Sequence, residues 1–313
     1  MSLILEAVLP LFALILGGYV AGRRRILGAS ATDSLNSFVV WMALPALLFQ
    51  AMALISWEEI RQPGFFAASA LAMAVVFGLS FFADRREGRR LADASLSSLA
   101  AAYGNAGYMG IPLCIMVLGE ASLPAVVIMT LLTACILFAF SIVLVELDLQ
   151  RTATLPSTLK KVGLTLLRNP LVCSPLAGLV VSGMGWTLPA PVLQFTNLLG
   201  AAASPCALVT IGLFLSQSRV SGNRRTVWRI VSLKLIAHPV LAFVLVTWVF
   251  DMPPMWAAAA VLLAALPVGT GPFMVAKLYD REPAVASQAT LFSTVLSVVT
   301  VSLLVGWITP ASP

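Results

Sequence analysis

The sequence predicts an all-α integral membrane protein with ten transmembrane helices, arranged as a 5+5 inverted repeat with crossed, broken helices 4 and 9. Three observations support this prediction: an apolar composition, basic residues concentrated in alternate loops, and an internal repeat. Of the 313 residues, 60% are hydrophobic and 10% are charged, whereas a soluble domain carries about 25% charged residues. The composition therefore indicates a membrane protein.

Ten apolar segments divide the chain, and each is long enough to cross the hydrocarbon core as a helix. They run over residues 3–22, 35–55, 63–83, 91–118, 121–147, 169–186, 190–216, 226–250, 254–278 and 283–308. None of them alternates polar and apolar residues as a barrel strand would. Because three arginines follow the first segment and no basic residue precedes it, we expect a retained span rather than a secretory signal.

The basic residues set the expected orientation. Sixteen of the nineteen lysines and arginines follow spans one, three, five, seven and nine, while Arg61 lies on the other side and Arg229 and Lys234 lie within span eight. Basic loops stay in the cytoplasm, so both termini should face outward. The basic residues form no single patch, which argues against nucleic-acid binding. The four cysteines all lie in apolar segments and are expected to be small core residues rather than disulfides.

Landmarks recur when the chain is shifted by about 160 residues. Gly18 falls on Gly178, Pro45 falls on Pro205, and the segment from Pro124 falls on the segment from Pro283. Five spans in each half make the second half inverted, as in secondary transporters. We therefore expect a first repeat at 1–149, a short cytoplasmic linker at 150–168 and a second repeat at 169–313.

Spans four and nine contain the weakest helix formers. Residues 103–113 read YGNAGYMGIPL and residues 266–279 read LPVGTGPFMVAKLY. Proline disrupts a helix, so each span should break at Pro112 and Pro272, which coincide in the repeat. The half-helices beginning there would direct amides and a partial positive charge at a carboxylate, with Asn105 and Thr270 as neutral donors. The alternative is two kinked helices with small residues for close packing.

The chain also resembles the auxin efflux carrier family. The likeness covers both halves and is strongest in GNAGYMGIPL, RNPLVCSPLAG, SPCALVTIGLFL, LKLIAHP and LPVGTGPFMVAKLYDREP. The resemblance implies a dimerising scaffold of spans 1, 2, 6 and 7 and a transport domain of spans 3–5 and 8–10 that moves as an elevator. It also implies organic carboxylates as ligands, bound by Asn105, Pro112, Pro272 and the amides that follow. Two departures are the short central loop and the sequence Gly269-Thr270-Gly271, where many bacterial relatives have an asparagine.

Two groups of candidate site residues follow. The substrate-binding candidates are Asn105, Gly110, Ile111, Pro112, Leu113, Thr270, Gly271, Pro272 and Phe273. The supporting candidates are Tyr103, Tyr108, Lys234, His238, Lys277 and Gln288. Lys234 lies inside a span, where a charged residue is by default expected to be functional. The alternative is a structural role, in which Lys234 bonds to the carbonyls of a broken helix. His238 could titrate or be satisfied structurally, and Lys277 could face the cytoplasmic mouth or snorkel to the interface.

These residues favour a carrier over the other classes of membrane protein. Ser204, Ser287 and Ser293 have no neighbouring His or carboxylate in the sequence, and one His with scattered cysteines makes a zinc site improbable, so we expect neither an enzyme nor a cofactor. Neither break contains an acidic residue, which disfavours a cation as the main substrate. We expect an elevator-type secondary carrier for small organic anions, auxin-like monocarboxylates or dicarboxylates such as malonate and malate. It would be a homodimer joined through its scaffold in the lipid bilayer of a bacterial inner membrane. The alternatives are an ion-coupled transporter of a different solute, or a channel or receptor with the same fold.

Overall fold

The computed structural model describes residues 2–28, 30–56, 61–149, 160, 163–164, 167–217 and 222–308. Within these ranges, helices of eight residues or more are α1 Ser2–Arg23, α2 Ala31–Ala53, α3 Pro63–Arg86, α4 Leu91–Ala102, α5 Ala106–Leu118, α6 Glu120–Leu149, α7 Pro170–Gly183, α8 Ala190–Ser216, α9 Arg224–Trp248, α10 Pro254–Ala264, α11 Gly271–Leu278 and α12 Pro283–Ile308. The linker predicted at 150–168 lies almost entirely outside the described residues.

The described chain is all-helical, with a single isolated β-bridge between Gly104 and Val268. Six helices are long and apolar enough to cross a membrane, namely α2, α3, α6, α8, α9 and α12. Most of the others are shorter apolar helices. This result confirms the all-α membrane class. Each of the ten predicted segments coincides with one of these helices or with a pair of them, while the ten-span topology itself stays a prediction.

Spans four and nine are each divided into two helices. Residues 103–105, the first break, separate α4 from α5, and residues 265–270, the second break, separate α10 from α11. Pro272 is the second residue of α11, close to its predicted position at a helix start. Pro112, in contrast, lies inside α5, and the chain unwinds before Ala106 instead.

Widened helical turns explain how α5 accommodates its proline. A π-helical turn covers Ala106–Gly110 and ends two residues before Pro112. The same spacing recurs at Val39–Ala43 before Pro45 and at Leu233–Ala237 before Pro239. Proline has no N–H and clashes with the carbonyl one turn earlier, and a π-turn relieves that conflict without ending the helix. The first break therefore precedes Pro112 by several residues.

Two glycines bring helices into backbone contact across the two halves of the sequence. A Cβ atom at Gly18 in α1 would overlap the carbonyl oxygen of Val209 in α8, and one at Gly178 in α7 would overlap the carbonyl oxygen of Phe49 in α2. The two contacts exchange under the 160-residue shift, which moves Gly18 onto Gly178 and Phe49 onto Val209. Helices α1, α2, α7 and α8 thus pack together, and the remaining helices lie beside them.

Candidate functional site

The two breaks lie against each other and pair through their backbones. Asn105 N–H donates to the carbonyl of Pro267 at 3.0 Å, and Gly269 N–H donates to the carbonyl of Tyr103 at 3.1 Å. These two bonds flank the bridge between Gly104 and Val268. Unwound backbone inside a membrane protein must find partners within the protein. Here each break supplies the partners of the other.

Asn105 is the polar side chain at the centre of this junction. It is 5% exposed, and its Nδ2 amide group has no hydrogen-bond partner among the residues that the structure describes. The backbone carbonyl oxygen of Asn105 accepts from the N–H groups of Met109 and Gly110, so Asn105 begins the first turn of α5. The next amides of α5 have no acceptor within the helix, and the helix dipole is positive at this end. An unused amide donor and a helix N-terminus together make a neutral site for an anion.

The second break is packed around an aromatic ring. A Cβ atom at Gly269 would lie 2.7 Å from Cε1 of Tyr103, and one at Gly271 would lie 2.9 Å from Cζ of the same ring. Tyr103 also packs against Phe138 of α6, with ring centroids 5.6 Å apart. The glycines of this break therefore provide space for Tyr103. They are needed for close packing as well as for unwinding.

The structure distributes the other substrate-binding candidates differently in the two halves. Gly110, Ile111, Pro112 and Leu113 are buried within α5, and the Ile111 N–H already donates to the carbonyl of Ala106. In α11, Pro272 is buried. The partly exposed candidates of the second half are Thr270, Gly271 and Phe273. The amides nearest to Asn105 are therefore those in the first turn of α5 rather than those after Pro112, and among them the Ala106 N–H already donates to the carbonyl of Gly104.

The supporting candidates also differ in their burial and in their contacts. Lys234 is fully buried in α9, and its Nζ atom lies 2.5 Å from the carbonyl oxygen of Ala264, the last residue of α10. It also lies 3.1 Å from Nδ1 of His238, whose Nε2 atom is buried without a partner among the described residues. Lys234 thus bonds to a carbonyl of broken span nine, one of the two predicted roles. Gln288 is buried in α12, and Lys277 is exposed in the last turn of α11.

A cavity of about 660 Å³ lies between α2, α8, α10 and the helices that follow the first break. Its polar lining consists of carboxamides, hydroxyls and one carboxylate: Gln50, Gln62, Glu120, Thr196, Asn197 and Ser204. Gln50 Nε2 donates to Asn197 Oδ1 at 2.8 Å, and the Thr196 hydroxyl donates to Gln50 Oε1 at 2.6 Å. Among the predicted site residues, Ile111 lines this cavity.

The sequence analysis did not identify these cavity residues. A signal was present, because Gln50, Thr196 and Asn197 are polar residues within apolar segments of spans two and seven. Polar side chains inside spans usually face a bundle interior or a water-filled space. Which helices turn these faces toward each other depends on long-range packing, and a hydropathy pattern does not contain that information.

Three further contacts join α2, α5, α8 and α11. The Tyr108 hydroxyl donates to Asn36 Oδ1 at 2.7 Å, which joins α5 to α2. Phe214 of α8 packs edge-to-face on Phe273 of α11, with ring centroids 4.8 Å apart. Gln217 Nε2 donates to Thr32 Oγ1 at 2.9 Å nearby. The residues of these contacts do not line the cavity, whose lining includes Glu120.

An ionic cluster joins four chain segments: the end of α3, the first turn of α4, the start of α9 and the α11–α12 connection. Asp84 is fully buried and pairs with Arg89, at 2.7 Å, and with Arg229. Arg89 also pairs with Glu282, and Arg281 forks onto Asp93 at 2.9 and 3.0 Å. Burial alone would lower the pKa of Arg89, but the hydrogen bond and charge of Asp84, with the charges of Glu282 and Asp93, raise it. The cluster holds these segments together through paired charges.

Comparison with known proteins identifies the type of molecule in which this junction occurs. The family model described as "Membrane transport protein" matches residues 3–305. A "Putative malonate transporter" of Rhizobium meliloti (strain 1021) is 31% identical over 309 residues, which cover 96% of this chain and 95% of that protein.

Two further similarities are more distant. The "Uncharacterized transporter YfdV" of Escherichia coli (strain K12) is 24% identical over 87% of each chain. "Auxin efflux carrier component 1" of Arabidopsis thaliana is 27% identical over 139 residues, which are 42% of this chain and 22% of that protein. The plant similarity is thus confined to part of each chain, whereas the bacterial ones extend over most of their length.

Proposed function

The chain belongs to the "Membrane transport protein" family, with the auxin efflux carriers among its relatives, and is a transporter rather than an enzyme; from this membership we propose that it is a secondary carrier for small organic carboxylates. The substrate would bind at the junction of the two breaks. Transport would follow an elevator mechanism, in which one group of helices carries the site past the other.

The observation that carries this proposal is the unpartnered amide of Asn105. A buried donor without a partner costs about 1–3 kcal/mol, so it persists where it has a use. Asn105 begins α5, where helix amides and the positive end of the dipole also favour an anion. No lysine or arginine needs to contact the substrate in such a site. Neutral donors would hold a carboxylate while allowing its release.

Malonate is the first substrate to test. The relative with 31% identity carries malonate in its printed name. Auxin-like aromatic acids remain the other class to compare, because Tyr103 and Tyr108 provide aromatic surface at the first break.

Several contacts support the proposed architecture. The exchange of the Gly18 and Gly178 contacts under the 160-residue shift favours an inverted 5+5 repeat. The ionic cluster joins α3, α4, α9 and the α11–α12 connection, all within the proposed transport domain of spans 3–5 and 8–10. The cavity lies between those helices and the proposed scaffold of spans 1, 2, 6 and 7. With both termini outside, the cavity would face outward.

The cellular setting follows from the same reasoning. The short central connection and the bacterial relatives favour the inner membrane of a bacterium as the location. The exposed apolar residues of the scaffold, such as Leu198 and Phe195 of α8, suit contact with lipid or with a second copy. We propose a homodimer joined through the scaffold helices.

Electrophysiology on a solid-supported membrane tests the proposal with the reconstituted full-length protein. Malonate, malate, acetate and indole-3-acetate would be applied as concentration jumps to wild type, to Asn105→Ala and to empty liposomes. A saturable current for one class of acid, weakened in Asn105→Ala, is expected. If no acid produces a current but a cation gradient alone does, the carboxylate proposal is wrong and ion transport is favoured.

A further inference from the structure

A patch of exposed arginines lies where α3, α4 and α9 meet, on the side predicted to be cytoplasmic. This arginine patch consists of Arg85 and Arg86 at the end of α3, Arg90 directly before α4, and Arg224 and Arg225 at the start of α9. The side chain of Arg225 is 81% exposed. Clusters of about four to eight basic residues at the cytoplasmic end of a span are typical of binding to anionic lipid headgroups.

Buried ion pairs hold in place the backbone that carries this patch. Asp84 is fully buried and pairs with Arg89 and Arg229, which joins the end of α3 to the α3–α4 connection and to α9. Arg85 Nη1 donates to the carbonyl of Arg89 at 2.7 Å, across a turn in which Gly88 has a φ of +77°. The exposed arginines thus come from chain segments whose relative positions are fixed.

The arginine patch has few carboxylates of its own. Among the residues that the structure describes, Arg86, Arg90 and Arg224 form no ion pair. Arg225 lies 3.6 Å from Glu87, whose carboxylate also pairs with a second arginine of α9. The patch therefore carries positive charge that the protein does not neutralise. Because the planar guanidinium fork matches the oxygens of a phosphate, a phosphate group complements it in charge and in geometry.

An exposed apolar face of α3 leads to the patch. Its residues Leu71, Val75, Leu79 and Phe82 follow one another at intervals of three or four, and Arg86 comes four residues after Phe82. This spacing places them on one side of the helix. An apolar surface that ends in an arginine matches a lipid, whose acyl chain ends in a charged headgroup.

The exposed face of α9 has the same order of residues. Ile236 and Val240 are exposed, and so is Trp228, which comes four residues after Arg224. The Trp228 ring stacks on Phe292 of α12, with ring centroids 5.5 Å apart. Tryptophan is enriched at the interface between membrane and water, and four residues of helix span about 6 Å, so Arg224 lies at the depth of the headgroups.

We propose that the arginine patch binds the headgroup phosphate of an anionic phospholipid in the cytoplasmic leaflet. The guanidinium groups donate to the phosphate oxygens, and the acyl chains lie against the apolar faces of α3 and α9. A soluble phosphate compound would contact the same arginines without gaining the apolar contacts. The inference goes beyond the proposed function and does not depend on which solute the carrier moves.

Native mass spectrometry of the purified full-length protein in a neutral detergent tests this binding. Phosphatidylglycerol and phosphatidylcholine with identical acyl chains would be titrated against the wild type and two triple variants. Arg86→Gln/Arg90→Gln/Arg224→Gln removes the patch residues that form no ion pair. The matched control, Arg23→Gln/Arg24→Gln/Arg25→Gln, removes three exposed arginines at the end of α1, on the same predicted side of the membrane.

The wild type should bind phosphatidylglycerol more tightly than phosphatidylcholine. The patch variant should bind phosphatidylglycerol about 10- to 100-fold more weakly than the wild type, and the control should resemble the wild type. Equal affinity of the wild type for the two lipids would overturn the inference. Equal losses in the two variants would also overturn it, because they would show a general attraction between opposite charges. If the patch variant cannot be purified, Arg224→Gln against Arg23→Gln makes the same comparison, with an expected loss of about fivefold.

Thermal unfolding separates a lipid from a soluble phosphate compound. Phosphatidylglycerol should raise the melting temperature of the wild type, and sodium chloride should reduce that increase because it screens the charges. Glycerol 3-phosphate at the same concentration should have no effect. Equal stabilisation by the two compounds would contradict the lipid assignment and indicate a site for soluble phosphates. Neither measurement uses transport, so a failure of the carboxylate proposal leaves both results valid.

Discussion

The break in span four and the break in span nine lie against each other, yet their polar groups are satisfied to different degrees. In the second break, Val268 N–H donates to Ser293 Oγ at 3.0 Å, and the Gly269 carbonyl accepts from Thr290 Oγ1 at 3.3 Å. The carbonyl of Ala264, just before it, accepts from Lys234. In the first break, the Nδ2 group of Asn105 has no partner among the described residues.

This difference assigns separate roles to two similar sequences. Under the 160-residue shift, Asn105 corresponds to Ala265. The second break therefore has no equivalent amide side chain, and its Val268 N–H and Gly269 carbonyl are bonded to side chains of α12. We interpret the first break as the part that binds the ligand and the second as the support that holds it in place.

Removal of the unpartnered amide is the strongest test of this difference. Asn105→Ala should weaken substrate binding about 10- to 100-fold, because a hydrogen bond to a charged group contributes about 1.5–3 kcal/mol. The concentration dependence of the malonate current measures this change. The melting temperature should stay the same or rise, because a buried unpaired donor has been removed. A large loss of thermal stability would instead indicate a structural role for Asn105.

The support role of the second break is tested by filling its space. Gly269→Ala would place a Cβ atom 2.7 and 2.8 Å from two ring carbons of Tyr103, and we expect a loss of about 1–3 kcal/mol in the free energy of unfolding. Chemical denaturation of the purified protein measures it. Gly17→Ala is the matched control, since no atom outside its own helix lies within 4 Å of its new Cβ. Equal stability of the two variants would contradict the packing described for Tyr103.

A smaller effect is expected from the hydroxyl that satisfies the second break. Ser293→Ala leaves the Val268 N–H without its acceptor and should cost about 1–2 kcal/mol of unfolding free energy. The control is Ser302→Ala in the same helix, because the Ser302 hydroxyl donates to the carbonyl of Val298 in its own helix. If both variants unfold alike, the Ser293 bond does not support the break.

The smallest effect is expected at Thr270, which the sequence predicted to be a neutral donor like Asn105. It is partly exposed, and its side chain makes no capping hydrogen bond to α11. Thr270→Ala should change the apparent affinity for malonate by less than about twofold, within about 0.5 kcal/mol. A loss as large as that of Asn105→Ala would show that the second break binds the ligand too, and would remove the distinction between the two breaks.

Hydropathy and repeat spacing predicted the helical segments and the two breaks because both are properties of local sequence. The position of the first break was less predictable, because Pro112 remains inside α5 after a π-helical turn. The bond from Tyr108 to Asn36, the cavity carboxamides and the pairing of Asp84 with Arg229 all join residues far apart in sequence. Such contacts depend on which helix faces meet, and a single sequence does not specify them.

The glycine contacts have a consequence for how the two halves came to depend on each other. Gly18 packs on Val209 and Gly178 packs on Phe49, so each of these close contacts joins one half of the sequence to the other. A half-length chain expressed alone would leave a glycine groove and its matching backbone ridge unfilled. A second copy in the opposite orientation would offer both surfaces at once. Under the proposed inverted repeat, the single chain would hold the same two contact surfaces that an antiparallel pair of half-length chains would form.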